Sequence, residues 1–450
     1  DVYKRQEAGI NRADYGVKAI HTIGTGTPGA WTALVTAIAS ETGGVSRFTT
    51  TPDENLEDFF LEDLVAALRV DPVEKIATAT GSLSNADSGK SETFEINATV
   101  RKATFAVSWR GDRRSEAVNF SLIAPGEITV PPGLIKMRTG PYYRIASLDF
   151  PLTGDSDPRV SPVVPGGAIP HAGTWRLVFR PELATQQVDY RVHLIVDDAD
   201  IRYHFDAPTA GVGVGEAIPL SLWVQQGNRT LTGLQDVRAN IARPPLGFGT
   251  FMVKNPVSKE QLAKPIDLSG DQFSNLAGKK GFILFQDDDL RKSLTPATAT
   301  VALFDDGLPE HGDAKAGDGV YSALYTNTSR PGFYDVQLSF KSKNAGDGGV
   351  LRTDSRTLAV GMERFDLAKS KIEVRQVSDP EGGIAYEVSG VFIDKNENDP
   401  GPGHAVFAIV TLPGDKWGGR RVLLGDNLDG SYAARITLMP GEVEAGAGVR

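Results

Sequence analysis

The hydrophobic pattern changes character once along this chain. Up to about residue 70 the apolar positions recur at helical spacing, interrupted by short apolar runs. Val17–Gly24 is a short apolar stretch ending in glycine. Trp31, Leu34, Val35 and Ile38 then repeat three or four apart, and Gly43-Gly44 follows as a C-cap signal. Val45–Thr49 reads as a second short strand. Thr51-Pro52-Asp53-Glu54 combines a capping box with proline at the first helical position, and predicts a helix burying Leu56, Phe59, Phe60, Leu64 and Leu68. Strand, helix, strand, helix in this order predicts an α/β piece over residues 7–72, the closing part of a Rossmann-like, doubly wound sheet.

Beyond that point the period falls to two. Residues 73–92 read as a polar linker, with Gly81-Ser82 and the run Ser84–Gly89. Phe94, Ile96, Ala98 and Val100 alternate, as do Ala103, Phe105, Val107 and Trp109. Further runs at Val118–Leu122, Trp175–Phe179 and Tyr190–Val196 predict a β-sandwich over residues 93–200. A second sandwich of immunoglobulin-like plan is predicted over 201–362, opened by alternating Ile218, Leu220, Leu222 and Val224 and interrupted by a partly helical insertion at 250–295. A third is predicted over 363–450, cut short at its C-terminal end. The second and third share an ending. Asp318-Gly319-Val320-Tyr321-Ser322-Ala323 matches Asp429-Gly430-Ser431-Tyr432-Ala433-Ala434, and Pro331-Gly332 matches Pro440-Gly441. Two copies imply tandem related units, with each tyrosine facing a core two residues after a glycine turn.

Composition supports this picture. The 450 residues hold 49 Gly and 27 Pro, suited to a turn-rich β chain. A net charge of −10 argues against a nucleic-acid partner, which needs a basic face. No cysteine is present, which excludes disulfides and thiolate chemistry. No apolar run is long enough to predict a membrane span.

The most distinctive stretch is Leu303–Tyr325, where a strand end runs into a loop carrying Asp305, Asp306, Asp313 and Asp318 among four glycines. Asp and Gly are turn-forming residues. The same four carboxylates, with loop carbonyls, also offer the hard oxygen donors that Ca²⁺ takes. Asp394–Asp399 approaches an EF-hand loop but has Asp399 where glycine belongs and Ala405 where glutamate belongs, so a solvated hairpin is expected. Asp287-Asp288-Asp289 reads as a solvated charge run. Asp197, Asp198 and Asp200 fall at a junction between units, where cadherin-like domains hold calcium. Gly211–Gly215 leads into a strand and is a turn rather than a phosphate loop. The six histidines form no metal-ligand motif, and no G-x-S-x-G elbow is present. Trp109, Trp175 and Trp223 fall in patterns typical of core, which counts against a carbohydrate-binding face.

Two resemblances sharpen the reading. Ile20–Gly44, reading IHTIGTGTPGAWTALVTAIASETGG, with the strand and helix after it, resembles the end of a von Willebrand factor A domain. That resemblance implies a Mg²⁺ site built from an Asp-x-Ser-x-Ser loop, a threonine and an aspartate, none of them in this segment. The DDG…GD…GDGVYS run resembles a bacterial surface-protein module described as a choice-of-anchor domain. The order of an A domain and then sandwiches is similar, in architecture alone, to calcium-activated chloride channel regulators. Asp1–Gln6 resembles a translated sequencing adapter and is set aside, so the chain is expected to be a fragment. The expected function is binding or adhesion to a protein, matrix or cell-surface ligand by a bacterial exported protein, with no catalysis in this segment. The alternative expectation is a set of accessory domains to a secreted hydrolase, such as a metallopeptidase, encoded upstream.

Overall fold

A computed structural model describes residues 20–25, 35–36, 38–39, 46–49, 74–112, 114–153, 168–198, 200–208, 212–263, 276–342, 350–362, 365–379, 384–411, 419–438 and 448–449. In the N-terminal part, β1 (Thr22–Thr25) and β2 (Ser46–Thr49) pair in parallel, Thr22 opposite Ser46 and Thr25 opposite Thr49. Residues 35–36 and 38–39 between them are helical. Thr22 and Ser46 both donate a side-chain hydrogen bond to the Val35 carbonyl. The helix expected from Asp53 to Leu68 lies outside the described residues.

Strands build most of the rest, many of them with alternating burial. Strands β3 (Glu74–Leu83), β4 (Ser91–Ile96), β5 (Val100–Arg110), β6 (Val118–Ala124), β7 (Lys136–Gly140), β8 (Tyr143–Asp149), β9 (Gly173–Pro181) and β10 (Val188–Asp198) form the first unit. One sheet runs β4–β9–β6 and the other β3–β10–β5–β8–β7. Between them lies one core that includes Trp109, Trp175, Phe105 and Phe179. Each indole N–H is satisfied inside that core, Trp109 by the Asp112 carbonyl and Trp175 by the His171 carbonyl. The linker expected at 73–92 is corrected here. Residues 74–83 form a strand along β10, because Ala79 and Leu83 face the core in an alternation that the Gly and Ser between them obscure.

The second unit contains β11 (Ile201–Asp206), β12 (Ile218–Gln226), β13 (Gln235–Arg243), β14 (Ala297–Ala302), β15 (Val320–Tyr325), β16 (Gly332–Ser342) and β17 (Val350–Gly361). Strand β12 lies between β11 and β15 in one sheet, and the other runs β17–β16–β13–β14. Leu220, Leu222, Tyr334 and Leu338 are among the residues packed between them. The insertion is helical as expected: α1 (Phe248–Lys254), α2 (Lys259–Ala263), α3 (Leu276–Phe285) and α4 (Asp288–Lys292). Phe248, Phe251 and Phe285 stack into a separate small cluster there.

In the third unit β18 (Lys371–Ser378), β19 (Ile384–Val391) and β22 (Ser431–Leu438) form one sheet, with β20 (Phe407–Thr411) and β21 (Arg420–Leu423) in the other. Val388, Val410, Tyr432 and Ile436 are in its core. The chain is therefore largely β, organised as successive two-sheet units. No helix among the described residues is long and apolar enough to cross a membrane, which says nothing of β-barrels.

The units interlock through side chains. Arg352 on β17, 0% exposed, pairs with the Asp198 carboxylate at the end of β10 and donates to Asn97 Oδ1 at 3.1 Å. Phe48 on β2 stacks on Phe333 at the start of β16, ring centres 5.2 Å apart. Between the second and third units, Lys280 of α3 donates to the Leu428 carbonyl at 2.6 Å. Thr250 of α1 accepts from the Asp399 amide at 2.9 Å. Gly249 sits so close to Pro400 that a Cβ there would fall 2.2 Å from its carbonyl oxygen.

Candidate functional site

The aspartate loop joins β14 to β15, and the structure divides its four carboxylates. Asp305, Asp313 and Asp318 converge, with one carboxylate oxygen from each within 4.8 Å of the others. Asp306 turns away and bonds His311 Nδ1 at 2.8 Å. The convergent three are held by main-chain donors. Asp305 accepts from the amides of Asp318 and Gly319, at 3.1 and 3.0 Å. Asp313 accepts from Gly307 at 2.6 Å and Lys315 at 3.1 Å, and Asp318 accepts from Val320 at 3.0 Å. Asp and Gly are thus present for turn chemistry, each carboxylate closing a turn of its own loop. The Gly307 amide is the main reason Asp313, although buried, stays below the ordinary carboxylate range. No lysine or arginine pairs with these three among the described residues, so three negative charges stand together with amides alone against them. Chemically, the three converging carboxylates offer oxygens of a kind that suits a hard cation.

The repeat predicted from sequence is a structural repeat. Gly319 and Gly430 have φ of 85° and 87°, a region that disfavours any side chain. The preceding Asp318 and Asp429 each accept from the amide two residues on. Tyr321 and Tyr432 are both buried. Tyr321 Oη accepts from the Leu234 amide, and Tyr432 donates to the Gly401 carbonyl. The second Pro-Gly, at 440–441, lies outside the described residues.

Other sequence candidates resolve differently. Asp197, Asp198 and Asp200 do not converge: Asp198 takes Arg352 and Asn97, while Asp200 accepts from Gln226. The junction cation at Asp198 is a guanidinium. Burial alone would raise the Asp198 pKa, but hydrogen bonds and the Arg352 charge hold it below the usual value. The solvated hairpin expected at Asp394–Asp399 is corrected, since Asp394, Asn398 and Asp399 are buried against the second unit. Asn398 bonds Ser329 and Arg330 across that junction, and Asp394 accepts from the Asn396 and Asn398 amides, so the loop is closed by protein donors. Asp287 caps α4 through the amides of Asp289 and Leu290. Trp109 and Trp175 are core, as their pattern predicts. Trp223 is not: it alternates with buried Leu222 and Val224, lies half-buried on the outer sheet face and stacks with His204 at 5.4 Å. Sequence reasoning also missed the Asp306–His311 pair, whose five-residue separation carries no motif.

No family model matches this chain. No curated protein matches it either. Among solved structures, it is similar to a DUF4785 family protein from Legionella pneumophila, with TM-score 0.36 and 9% identity over 83% of this chain and 82% of that one. It is also similar to a Bacillus licheniformis lipase in propeptide form, with TM-score 0.29 and 8% identity over 85% of this chain and 64% of that one. At these scores neither likeness carries an argument about activity.

Proposed function

We propose that this chain is a non-catalytic segment of a bacterial exported or cell-surface binding protein, in which immunoglobulin-like sandwiches form a stiff support. The parallel β1/β2 pair belongs, in this reading, to the tail of an A domain that engages a protein or matrix ligand. The observation that carries the reading is how the β units are joined. Their junctions are closed by buried polar contacts, Arg352 with Asp198 and Asn97, and Lys280 with Leu428, where flexible tethering would need solvated linkers. A support that must hold a binding module in place gains from such junctions, whereas it needs no reactive group. Calcium at Asp305, Asp313 and Asp318 belongs to the same proposal, as a neutraliser of three adjacent charges that tightens one loop.

Small-angle scattering of the intact chain tests the support. One fixed arrangement of the β units is expected to account for the profile; a profile requiring freely jointed units would refute stiffness. A solid-phase assay over immobilised matrix and cell-surface proteins tests binding by the complete protein. Absence of any retained ligand would remove the adhesion reading.

A further inference from the structure

The outer face of the β11–β12–β15 sheet carries an ordered row of polar side chains. Register places Asp206 beside Ser221, Ser221 beside Ser322, and Ser322 beside Phe304. These residues lie across the strands, about 4.8 Å apart from strand to strand. Asp206, Ser221 and Ser322 of that row line a cleft of about 420 Å³, together with Pro219 and Leu324 of the next register pair and His311 from the aspartate loop. That volume is within the roughly 300–1,000 Å³ usual for small-ligand sites.

Three properties set this cleft apart. First, its polar groups are uncommitted. Among the described residues, neither Asp206 nor the Ser221 and Ser322 hydroxyls make a side-chain hydrogen bond, although Ser322 is only 5% exposed and borders the cleft. A hydroxyl that lines a cleft without a protein partner is free to donate to and accept from a ligand. Second, His311 is fixed in place. Asp306 takes its Nδ1, and its ring stacks on Phe304 at 4.2 Å and 23°, so Nε2 is the nitrogen left for a ligand. Third, flat aromatic surfaces flank the polar row. Phe304 is 41% exposed beside Ser322. The stacked His204–Trp223 pair stands one row along the strands, about 7 Å away by strand rise.

A row of hydroxyl, carboxylate and imidazole groups beside aromatic faces matches one ligand chemistry. A pyranose ring presents hydroxyls at its rim and C–H bonds on its faces, and the positively polarised C–H groups lie on the electron-rich face of an aromatic ring. We infer that this sheet face binds a neutral saccharide, with Asp206, Ser221, Ser322 and His311 bonding its hydroxyls and Trp223 stacking on an adjoining sugar. Asp206 and the net charge of −10 disfavour phosphates and uronic acids. An extended peptide would pair with a strand edge, whereas this surface is the face of a sheet. Ser221 and Ser322 sit within regular strands with no hydrogen bond to His311, so the groups are binding residues rather than a nucleophile and its base. The inference is independent of the support role proposed above.

Affinity electrophoresis of the intact chain in gels containing β-glucan, xylan, galactomannan or polygalacturonate, together with a neutral-glycan array, tests it. Retention by at least one neutral glycan and none by polygalacturonate is expected. Asp206→Ala and Trp223→Ala are each expected to weaken that retention about tenfold, or about 1.4 kcal/mol, with unchanged melting. If Trp223→Ala does not fold, Asp206→Ala and Ser322→Ala carry the comparison. No neutral glycan bound on gel or array, retention on polygalacturonate instead, or wild-type retention by the folded variants would each overturn the inference.

Discussion

At the scale of single residues, position decides what an acidic side chain does in this chain. Asp399 and Asp198 are both buried at junctions, yet their charges are treated oppositely. Asp198 faces a guanidinium and stays ionised. Asp399 has no such partner. Burial disfavours its charge, the Gly401 amide offsets part of that, nearby Asp429 adds repulsion, and His404 acts against it, leaving the pKa raised. The Lys280 ammonium is drawn to Asp426 and Asp429 across the same junction and is itself depressed by burial. A carboxyl whose folded pKa exceeds its unfolded one stabilises the fold below the unfolded pKa, and that contribution is lost as pH rises through the folded pKa. Asp399→Asn keeps an oxygen acceptor for Gly401 and removes the charge. Melting curves should therefore show it more stable than the parent at pH 7, with the gain fading as pH falls through the raised folded pKa and gone below about 4. A gain independent of pH would assign the effect to packing instead.

At the scale of elements, strands such as Val118–Ala124, Gly173–Pro181 and Ile218–Gln226 were legible in the sequence because their burial alternates, and the glycine–tyrosine repeat was legible because two copies made it stand out. What could not be read was set by contacts distant in sequence. Nothing near Asn398 announces that Ser329 and Arg330 will cover it. Trp223 obeys the same period as its buried neighbours but with the opposite phase, and composition alone cannot give phase. The loop stood out by its composition, with Asp305, Asp306, Asp313 and Asp318 read as one set, whereas the convergence of three of them and the departure of Asp306 to His311 depend on the short turn of Pro309–His311 between them. The loop makes its own prediction. Asp313→Ala strips the acceptor from two amides, and hydrogen bonds to a charged acceptor are worth about 1.5–3 kcal/mol each before relaxation. A clear fall in melting temperature should follow. Calcium should raise the melting temperature of the parent and not of the variant, by about 2.7 kcal/mol at a hundred times its dissociation constant. Equal response of both proteins would place the ion elsewhere, and no response in either would leave the loop held by amides alone.

At the scale of the whole molecule, the contact that matters most is Arg352 with Asp198, which joins residues 154 apart in the chain. Removing one member of a buried pair strands the other, at a cost of about 3–5 kcal/mol. Arg352→Met should therefore destabilise the junction between the first two units far more than Arg352→Met combined with Asp198→Leu, and limited proteolysis near residue 200 reads the difference. If the single and double variants are cleaved alike, the pair does not hold the junction.

The same pair limits how this architecture can be rearranged by evolution. A unit copied out of its neighbourhood would carry a bare buried charge into its new setting, so recombination that treats each sandwich as an interchangeable bead is penalised. Inheritance should then favour the first and second sandwiches travelling together, and a homologue that retained one without the other would be expected to have replaced Arg352 or Asp198.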